Sequence, residues 1–397
     1  MTRRESAPWA EAAERVDRWI MERHCRGWDP YDALASPLVR SLAPGRWGKV
    51  AWTQLLKRAP VQLRPLLGIP KLRNPKAVAL ALEARLRLAS LARPSATSTP
   101  PSGQLVGWLE QARAPGGGWG YPFEWAHRDG WVPAGTPNAV VTAFAGHALL
   151  DAADGGLPVR ENALHSAGAF LAERLARIAG ANGSFCFSYT PRDRRAVHNA
   201  SALAGSLLAR LGARLHRPAW CEAALAAQRF TLAAQRDDGA WPYGTTSRNR
   251  WVDSFHTGYL LIALDRIDRA LAEDESRAAV GRGLAFWVEA FLVPPAVACR
   301  PGRPYPVDMH AVAHAIFTLL HFRDRVPDAL PRARALARWS LEEMHAQDGS
   351  FHYLLRARSV NRLRYLRWVQ AWMLRALAEL AVADPAPAEL AAAQRES

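Results

Sequence analysis

The sequence contains little cysteine, and its few cysteines form no recognisable motif. Cys25, Cys186, Cys221 and Cys299 are the only cysteines among 397 residues, and no two of them make a CxxC pair. This spacing excludes a CxxC redox motif and a cysteine-rich zinc motif, and a disulfide framework is not expected. No HExxH motif is present either. We therefore predict neither a metal nor a cofactor.

Long apolar runs are also missing. No run reaches the roughly 20 residues that a membrane-spanning helix requires. The first residues, MTRRESAPWAEAAERVDRW, lack the apolar core of a signal peptide. We therefore expect a cytoplasmic protein, either free or held peripherally at the inner membrane.

Lysine is scarce in a strongly basic chain. The formal net charge is +15, yet Lys49, Lys57, Lys71 and Lys76 are the only lysines. Such a charge is compatible with nucleic acid, an anionic glycan or an acidic membrane surface as partner. No helix-turn-helix, zinc-finger, RRM or KH pattern is present, which makes nucleic acid an unlikely partner.

Residues 33–82 lack acidic side chains altogether. The interval holds nine basic residues, together with Trp47, Trp52 and many leucines. One interpretation is a helical cap that packs on the core with its basic ends in solvent. The other is a surface that docks on an anionic membrane or on a polyanionic substrate. The sequence leaves both interpretations open.

Alanine and leucine are abundant, and a short turn recurs among them. Period-two runs of β-branched residues are scarce, so the chain is predicted to be mostly helical. A turn of glycine and aromatic residues repeats about every 55–65 residues, at 116–121, 182–189, 237–244 and 347–353, with a degenerate copy at 302–305. Self-similarity at a regular period is typical of a repeat architecture.

Helical segments flank these turns. Those predicted to follow them are 137–152, 198–211, 256–271, 309–322 and 366–382, and those predicted to precede them are 161–178, 219–235, 276–292 and 332–346. Because the polar residues follow the turn in every repeat, closing the repeats into a ring would bring them to one cavity. We predict an all-α fold, an (α/α) toroid of five to six hairpins. Residues 1–100 would supply a cap and the first hairpin, 101–384 the toroid and 385–397 a disordered tail.

Residues 116–147 combine a turn with the start of a helix. The glycines and Pro122 disfavour helix in the first half, whereas Thr136-Pro137-Asn138 predicts an N-cap. We interpret the segment as a site placed at a helix N-terminus, and the alternative is a turn that only caps a hairpin. The crowded side chains that favour a site are Tyr121, Glu124, His127 and Arg128.

A histidine occurs at or near the start of four successive inner helices. These residues are His147, His198, His256 and His310, and an aspartate, Asp253 or Asp308, precedes the last two. An isolated histidine is more often a buried core residue than a catalyst. Four in equivalent repeat positions predict that at least two share a cavity.

These residue types suit acid–base chemistry on a sugar. Asp253 and Asp308 could protonate a leaving oxygen or activate water, if burial separates their pKa values. His256 with Tyr189 or Tyr243 could move a proton next to a carboxylate, as a lyase or epimerase does. Arg128 and Arg367 could neutralise that carboxylate bidentately. The predicted catalytic residues are Asp253, His256, Asp308, His310, His198 and Tyr189. The predicted substrate-binding residues are Tyr121, Glu124, Arg128, Asn138, His147, Asn199, Trp251, Tyr365, Arg367 and Trp368.

Several motifs resemble a bacterial family of helical-toroid proteins encoded among surface-polysaccharide biosynthesis genes. The motifs are GWGYPFEW, FSYTP, WVDSFHTG, YPVDMHA and RWVQAWM, and the resemblance covers residues 36–382. It implies a toroid like that of terpenoid cyclases and prenyltransferases, or of glycoside hydrolases and glucuronyl epimerases. Glu124 stands where the family has aspartate, which keeps the charge but moves the carboxyl group.

We therefore predict a carbohydrate-active enzyme of surface-polysaccharide biosynthesis that acts on a glycan or a lipid-linked glycan. The reaction would be uronate epimerisation, elimination or glycosidic hydrolysis. One rival is an isoprenoid enzyme, although no DxDD-type proton donor is present. The other rival is a non-catalytic subunit that docks on a glycan or membrane through residues 33–82.

Overall fold

The computed structural model describes residues 8–91, 101–127, 130–294 and 296–385. Structural statements below refer to these residues. Arg128, nearly all of the Pro/Ser/Thr-rich stretch before residue 102 and almost all of the tail predicted from residue 385 lie outside them. In the described residues, no helix is long and apolar enough to cross a membrane.

Fourteen α-helices occur in the described residues. In chain order, α1 to α14 span Trp9–Glu22, Pro37–Ser41, Gly45–Arg58, Pro75–Ala89, Ser102–Gln111, Ala139–Asp154, Glu161–Ala169, His198–Arg214, Pro218–Leu232, Ser254–Leu271, Arg277–Phe291, Met309–His321, Ala329–Glu343 and Ala371–Ala383. A π-helical turn extends α7 over Phe170–Arg174, and another leads into α14 over Leu366–Gln370.

Six of these helices form a closed inner ring. Each of α4, α6, α8, α10, α12 and α14 packs against the next, and α14 packs back on α4. The helices α1, α5, α7, α9, α11 and α13 lie outside the ring, each against one or more inner helices. The prediction of an all-α toroid is confirmed, and the number of hairpins is six. The division of the chain at residue 100 stays a prediction.

Residue pattern separates inner from outer helices. Twelve of the thirteen residues of α12 are buried, because this helix is apolar or small on all sides. In the outer helix α13 the buried residues are Ala329, Ala333, Leu336, Ala337 and Ser340, which recur every three to four residues on one face. The inner helices therefore carry the core, and the outer helices shield it.

Short antiparallel strands join the helices at the loop ends. The strands β1 to β9 are Arg26–Gly27, Leu72–Arg73, Trp125–His127, Gly130–Val132, Arg177–Ala179, Phe185–Phe187, Val307–Asp308, Leu354–Arg356 and Ser359–Asn361. They pair as β1–β2, β3–β4, β5–β6 and β7–β8–β9. The predicted helix 161–178 is wrong at its end, where β5 begins. The positive φ angles of Asn182 and Gly183 turn the chain back, so that β5 pairs with β6.

Tryptophans of the repeated turns cap the C-terminal ends of outer helices. The Trp119 indole Nε1 donates to the Leu109 carbonyl of α5 at 2.7 Å, and that of Trp241 donates to Thr231 of α9 at 2.9 Å. Each bond satisfies a carbonyl near a helix C-terminus that has no partner within the helix. This part of the turn is therefore structural.

The glycines of the turns differ in how closely the next outer helix approaches. Gly239 has a φ of +87°, and a Cβ atom there would lie 2.5 Å from the Arg282 carbonyl oxygen of α11. Gly183 has a φ of +73°, but no heavy atom lies within 4 Å of its Cβ position. The two residues are a matched pair with the same backbone requirement and different packing.

Replacing Gly239 by alanine is expected to lower the free energy of unfolding by about 3 kcal/mol, since strain and steric overlap add. Gly183→Ala is expected to lower the free energy of unfolding by only about 1 kcal/mol, because it adds backbone strain without steric overlap. Urea unfolding of both variants measures the difference. Equal losses would show that the α11 backbone yields to the added methyl group.

The first and last hairpins close the ring through polar contacts. Trp19 Nε1 of α1 donates to Asp348 at 3.0 Å, and Arg367 forms a bidentate ion pair with Asp29. Helices α2 and α3 lie over this junction as a cap. The cap has a small core of its own, formed by Ala33, Leu34, Val39, Ala43, Leu56 and Ile69.

Candidate active site

One cavity of about 670 Å³ lies at the end of the toroid where the inner helices begin. This volume is in the range of small-ligand pockets, roughly 300–1,000 Å³. Every inner helix contributes a side chain from its first turn or from the residues just before it. These side chains include Lys76, Val140, Asn199, His256, His310 and Trp368. Helix N-termini therefore surround the cavity, as the repeat pattern predicts.

Asp253 fixes the orientation of His256. Asp253 is the N-cap of α10, and its Oδ1 accepts the backbone N–H of His256 at 2.9 Å. The His256 ring Nδ1 also lies 3.0 and 2.8 Å from the two carboxylate oxygens. A carboxylate only accepts, so Nδ1 carries the proton and Nε2 of the neutral ring carries the lone pair. His256 lines the cavity and is thereby prepared to act as a base.

Asp308 is a buried carboxyl group on the same cavity. It caps α12 by accepting the His310 backbone N–H at 2.9 Å, and Trp368 Nε1 donates to both of its oxygens at 3.1 and 3.0 Å. Burial raises the pKa of Asp308 to about 6, although these hydrogen bonds and nearby Lys57 act to lower it. Asp308 therefore holds a proton at a pH where an ordinary carboxyl group has lost it.

A hydrogen-bonded chain runs from His310 to Lys76. His310 Nδ1 donates to the Trp368 carbonyl at 3.0 Å, so its Nε2 accepts from the Tyr259 hydroxyl at 2.7 Å. Lys76 Nζ lies 3.3 Å from the same hydroxyl oxygen. Burial lowers the pKa of both Lys76 and His310 well below their ordinary values. These groups hold each other in place inside the low-dielectric wall of the cavity.

The charged residues of the cavity lining are mainly basic. Among the described residues that line it, Asp253 and Asp308 carry carboxyl groups, and Lys or Arg side chains are contributed by Lys57, Arg58, Lys76, Arg300, Arg303, Arg356 and Arg367. In the described part of the chain, Arg58, Arg300, Arg303 and Arg356 have no carboxylate within ion-pair distance. Arg356 Nη2 does donate to the Arg58 carbonyl at 3.3 Å. No described carboxylate balances the charge of the four guanidinium groups, so they can attract an anionic ligand.

The structure brings ten of the predicted site residues to this cavity. They are Tyr121, Tyr189, Asn199, Trp251, Asp253, His256, Asp308, His310, Arg367 and Trp368. Two of the four repeat histidines, His256 and His310, thus share it. Trp251 stacks on Tyr243 with ring centroids 4.1 Å apart, and both rings pack against His256.

The other two histidines do not line this cavity, and their predicted roles stay predictions. His198 is 1% exposed, neither ring nitrogen has a hydrogen-bond partner, and burial lowers its pKa to about 4. His147 lies deeper in α6, where its ring contacts Ser206 and Arg210 at 3.0 Å each. Burial also lowers the pKa of His147, so both rings are neutral at neutral pH.

Three predicted substrate-binding residues do not line this cavity and make structural contacts, so their role in binding stays a prediction without support from the cavity. Asn138 is buried and caps α6 through Val141 N–H. Glu124 forms an ion pair with Lys49 of α3 at 2.6 Å. The Tyr365 hydroxyl is buried and accepts from Arg64 at 2.9 Å. Arg128 lies outside the described residues.

Arg367 lines the cavity, but its charge is already balanced. Its Nε and Nη2 contact the two oxygens of Asp29 at 2.5 and 2.8 Å, and both side chains are 5% exposed. Arg367 therefore helps to close the ring, and its predicted role in neutralising a substrate carboxylate stays a prediction.

Four polar residues that line the cavity, Tyr31, Lys57, Lys76 and Tyr259, were not predicted from the sequence. Lys57 donates to the Tyr31 hydroxyl at 2.5 Å, and Lys76 and Tyr259 complete the chain to His310. The available signal was the scarcity of lysine, since two of the four lysines of the chain face this cavity. In the described residues, no group of three side chains is placed to hold a metal ion.

The comparisons with known proteins rest on structure alone. No known family matches the sequence, and no curated protein matches it. An unsaturated glucuronyl hydrolase from Bacillus sp. GL1 has a TM-score of 0.60 at 10% identity, over 96% of this chain and 97% of that chain. A cellobiose 2-epimerase from Bacillus thermoamylovorans has a TM-score of 0.60 at 8% identity, over 78% and 88%. A polysaccharide lyase has a TM-score of 0.55 at 12% identity, over 96% and 98%. The chain is therefore similar in fold, but not in sequence, to solved enzymes of these three kinds.

Proposed function

We propose that this protein is a carbohydrate-active enzyme that carries out acid–base chemistry on a uronate-containing glycan in the toroid cavity. One observation carries the proposal: the Asp253–His256 pair lies on the same cavity as four arginines that form no ion pair with a described carboxylate. A base beside positive charge suits removal of a proton next to a carboxylate. The fold likeness to a glucuronyl hydrolase, an epimerase and a lyase supports a sugar substrate by analogy only.

The proposed reaction begins with the substrate carboxylate held by arginines of the lining, Arg300, Arg303 or Arg356. His256 Nε2 then takes the proton from the adjacent sugar carbon, and the C–H electron pair moves into the carboxylate. Asp308 supplies a proton in the second step. Delivered to the opposite face of the same carbon, that proton completes an epimerisation. Delivered to the leaving oxygen as the neighbouring C–O bond breaks, it completes an elimination.

Glycosidic hydrolysis is the less favoured reaction. It requires two carboxyl groups that flank the scissile bond, one as acid and one as base or nucleophile. Both oxygens of Asp253 instead contact the His256 ring, and one also caps α10. This geometry makes Asp253 a group that orients a base.

The isoprenoid alternative has weaker support. A cavity lined wholly by apolar aromatic residues would support an isoprenoid substrate. The described lining instead combines aromatic rings with seven Lys and Arg side chains. From the sequence resemblance, we place the glycan among surface polysaccharides or their lipid-linked precursors.

The test is turnover of soluble uronate polymers in D₂O by the full chain, followed by NMR. Deuterium at the carbon beside the carboxylate indicates epimerisation, and an unsaturated uronate product indicates elimination. The rate is expected to fall as the pH rises through about 6, because Asp308, with its raised pKa, must be protonated to act as the acid. If a panel of uronate polymers gave neither product and a neutral glycan were cleaved, the result would favour hydrolysis instead.

A further inference from the structure

The exposed large apolar side chains of the described residues are concentrated in the cap. Eight such residues are present, and six of them lie between residues 38 and 66. We call these six the docking face: Leu38, Leu42, Trp47, Leu55, Val61 and Leu66. Leu66 is 81% exposed and Trp47 is 60% exposed. Single exposed apolar residues are normal on a soluble protein, but a cluster of this kind marks an interaction surface.

Helix geometry makes the part of the docking face on α3 continuous. Trp47, Ala51 and Leu55 are exposed and recur every four residues, so they form one stripe along α3. The cap core lies on the other side of this helix and includes Leu56. Trp131, 46% exposed, lies outside this stripe, where Lys49 Nζ sits 4.2 Å from its ring centroid. The exposed side chains are therefore not needed to fill the cap.

The charged side chains of the segment that carries the docking face have one sign. Arg40, Arg46 and Arg58 are exposed in the same segment, and residues 33–82 contain no acid. Lys71 is exposed as well, whereas Arg64 and Lys76 are buried, Lys57 lines the cavity, and Lys49 and Arg73 are half-buried. What faces outward is a mixture of leucine, tryptophan and arginine, the composition typical of interfacial membrane surfaces.

The docking face borders the cavity. Leu55 and Arg58 are neighbours on the surface of α3, and Gln54, Lys57 and Arg58 line the cavity. A partner that binds the docking face therefore also lies close to the wall of the cavity.

We propose that the docking face binds the surface of an anionic lipid bilayer, with Trp47 and the leucines at the headgroup boundary and the arginines against lipid phosphates. This placement would expose the cavity to glycans carried at that surface. The binding does not depend on the reaction proposed above. A second copy of the chain fits less well, because a two-fold contact would bring arginines against arginines.

The experiment is co-sedimentation of the full chain with vesicles of phosphatidylcholine, with and without phosphatidylglycerol. The wild-type protein is expected to bind the anionic vesicles and to be released by salt. The variant Trp47→Glu/Leu55→Glu/Leu66→Glu is expected to bind at least about 10-fold more weakly. A matched control places the same three charges on exposed alanines elsewhere, as Ala181→Glu/Ala233→Glu/Ala285→Glu, and is expected to bind like wild type.

The outcomes separate the possible occupants. Equal binding by the docking-face variant and the control, or no binding to anionic vesicles, would overturn the proposal. Binding that does not require the anionic lipid would overturn its electrostatic part. A concentration-dependent dimer that only the docking-face variant abolishes would assign the face to a second copy. Circular dichroism checks folding, and loss of vesicle binding with unchanged turnover of a soluble uronate polymer separates docking from catalysis.

Discussion

His256→Ala is expected to lower the turnover of a uronate polymer by about 10²–10⁴-fold, the range for loss of a general base. The ring Nδ1 lies 2.8 Å from Asp253 Oδ2, which fixes the tautomer that leaves Nε2 free to accept a proton. The variant removes this base. The free energy of unfolding should change little, since His256 is only partly buried. Steady-state kinetics with kcat and KM determined separately is the measurement. The loss should fall on kcat.

Asp253→Asn tests the same pair by replacing a carboxylate, which only accepts hydrogen bonds, with an amide group, which also donates them. The asparagine Oδ1 can still cap the His256 backbone N–H, but an amide group now faces the ring. The ring can then accept at Nδ1 and carry its proton on Nε2, the wrong tautomer for a base. His165→Ala is the control, because His165 lies on the outer helix α7 and contacts Arg217. Unchanged turnover in both His256→Ala and Asp253→Asn would refute the catalytic assignment.

Arg367→Met is expected to lower the free energy of unfolding by about 3–5 kcal/mol. The variant leaves the Asp29 carboxylate buried without its partner, and burial of an unpaired charge is costly. Asp29→Asn should have a similar effect, and the double variant should lose less than the sum of the two. Urea unfolding of the four proteins gives the interaction free energy.

A surface ion pair provides the control for this cycle. Arg229 and Glu275 lie 3.1 Å apart with side chains 48% and 39% exposed. Arg229→Met should lower the free energy of unfolding by at most about 1 kcal/mol. If Arg367→Met proved no more destabilising than this control, the Asp29 pair would not hold the ring closed. Arg367 would then be free to bind a substrate carboxylate.

The repeat turns and helix starts were predictable because they depend on local chemistry. Glycine permits the positive φ that Gly183 and Gly239 adopt. Asparagine and aspartate cap helices, as Asn138, Asp253 and Asp308 do. These signals recur at a regular spacing, so the sequence indicates hairpins and a toroid. It also indicates which end of the hairpins collects the polar residues.

The sequence could not tell which of the histidines face the cavity. His198 is the first residue of α8, His310 the second of α12 and His256 the third of α10. Each residue along a helix turns the side chain by about 100°, so residues that look equivalent in sequence point in different directions. His198 turns into the core, and His256 and His310 turn toward the cavity.

The sequence by itself determined the helical repeats, their turns and the capping residues at one end, because each depends on residues close together in the chain. Only the tertiary structure decided that Lys76 meets Tyr259 and His310, and that Arg367 belongs to Asp29. These partners come from different hairpins. They meet only when the ring closes, and no local pattern encodes a contact made across a closed ring.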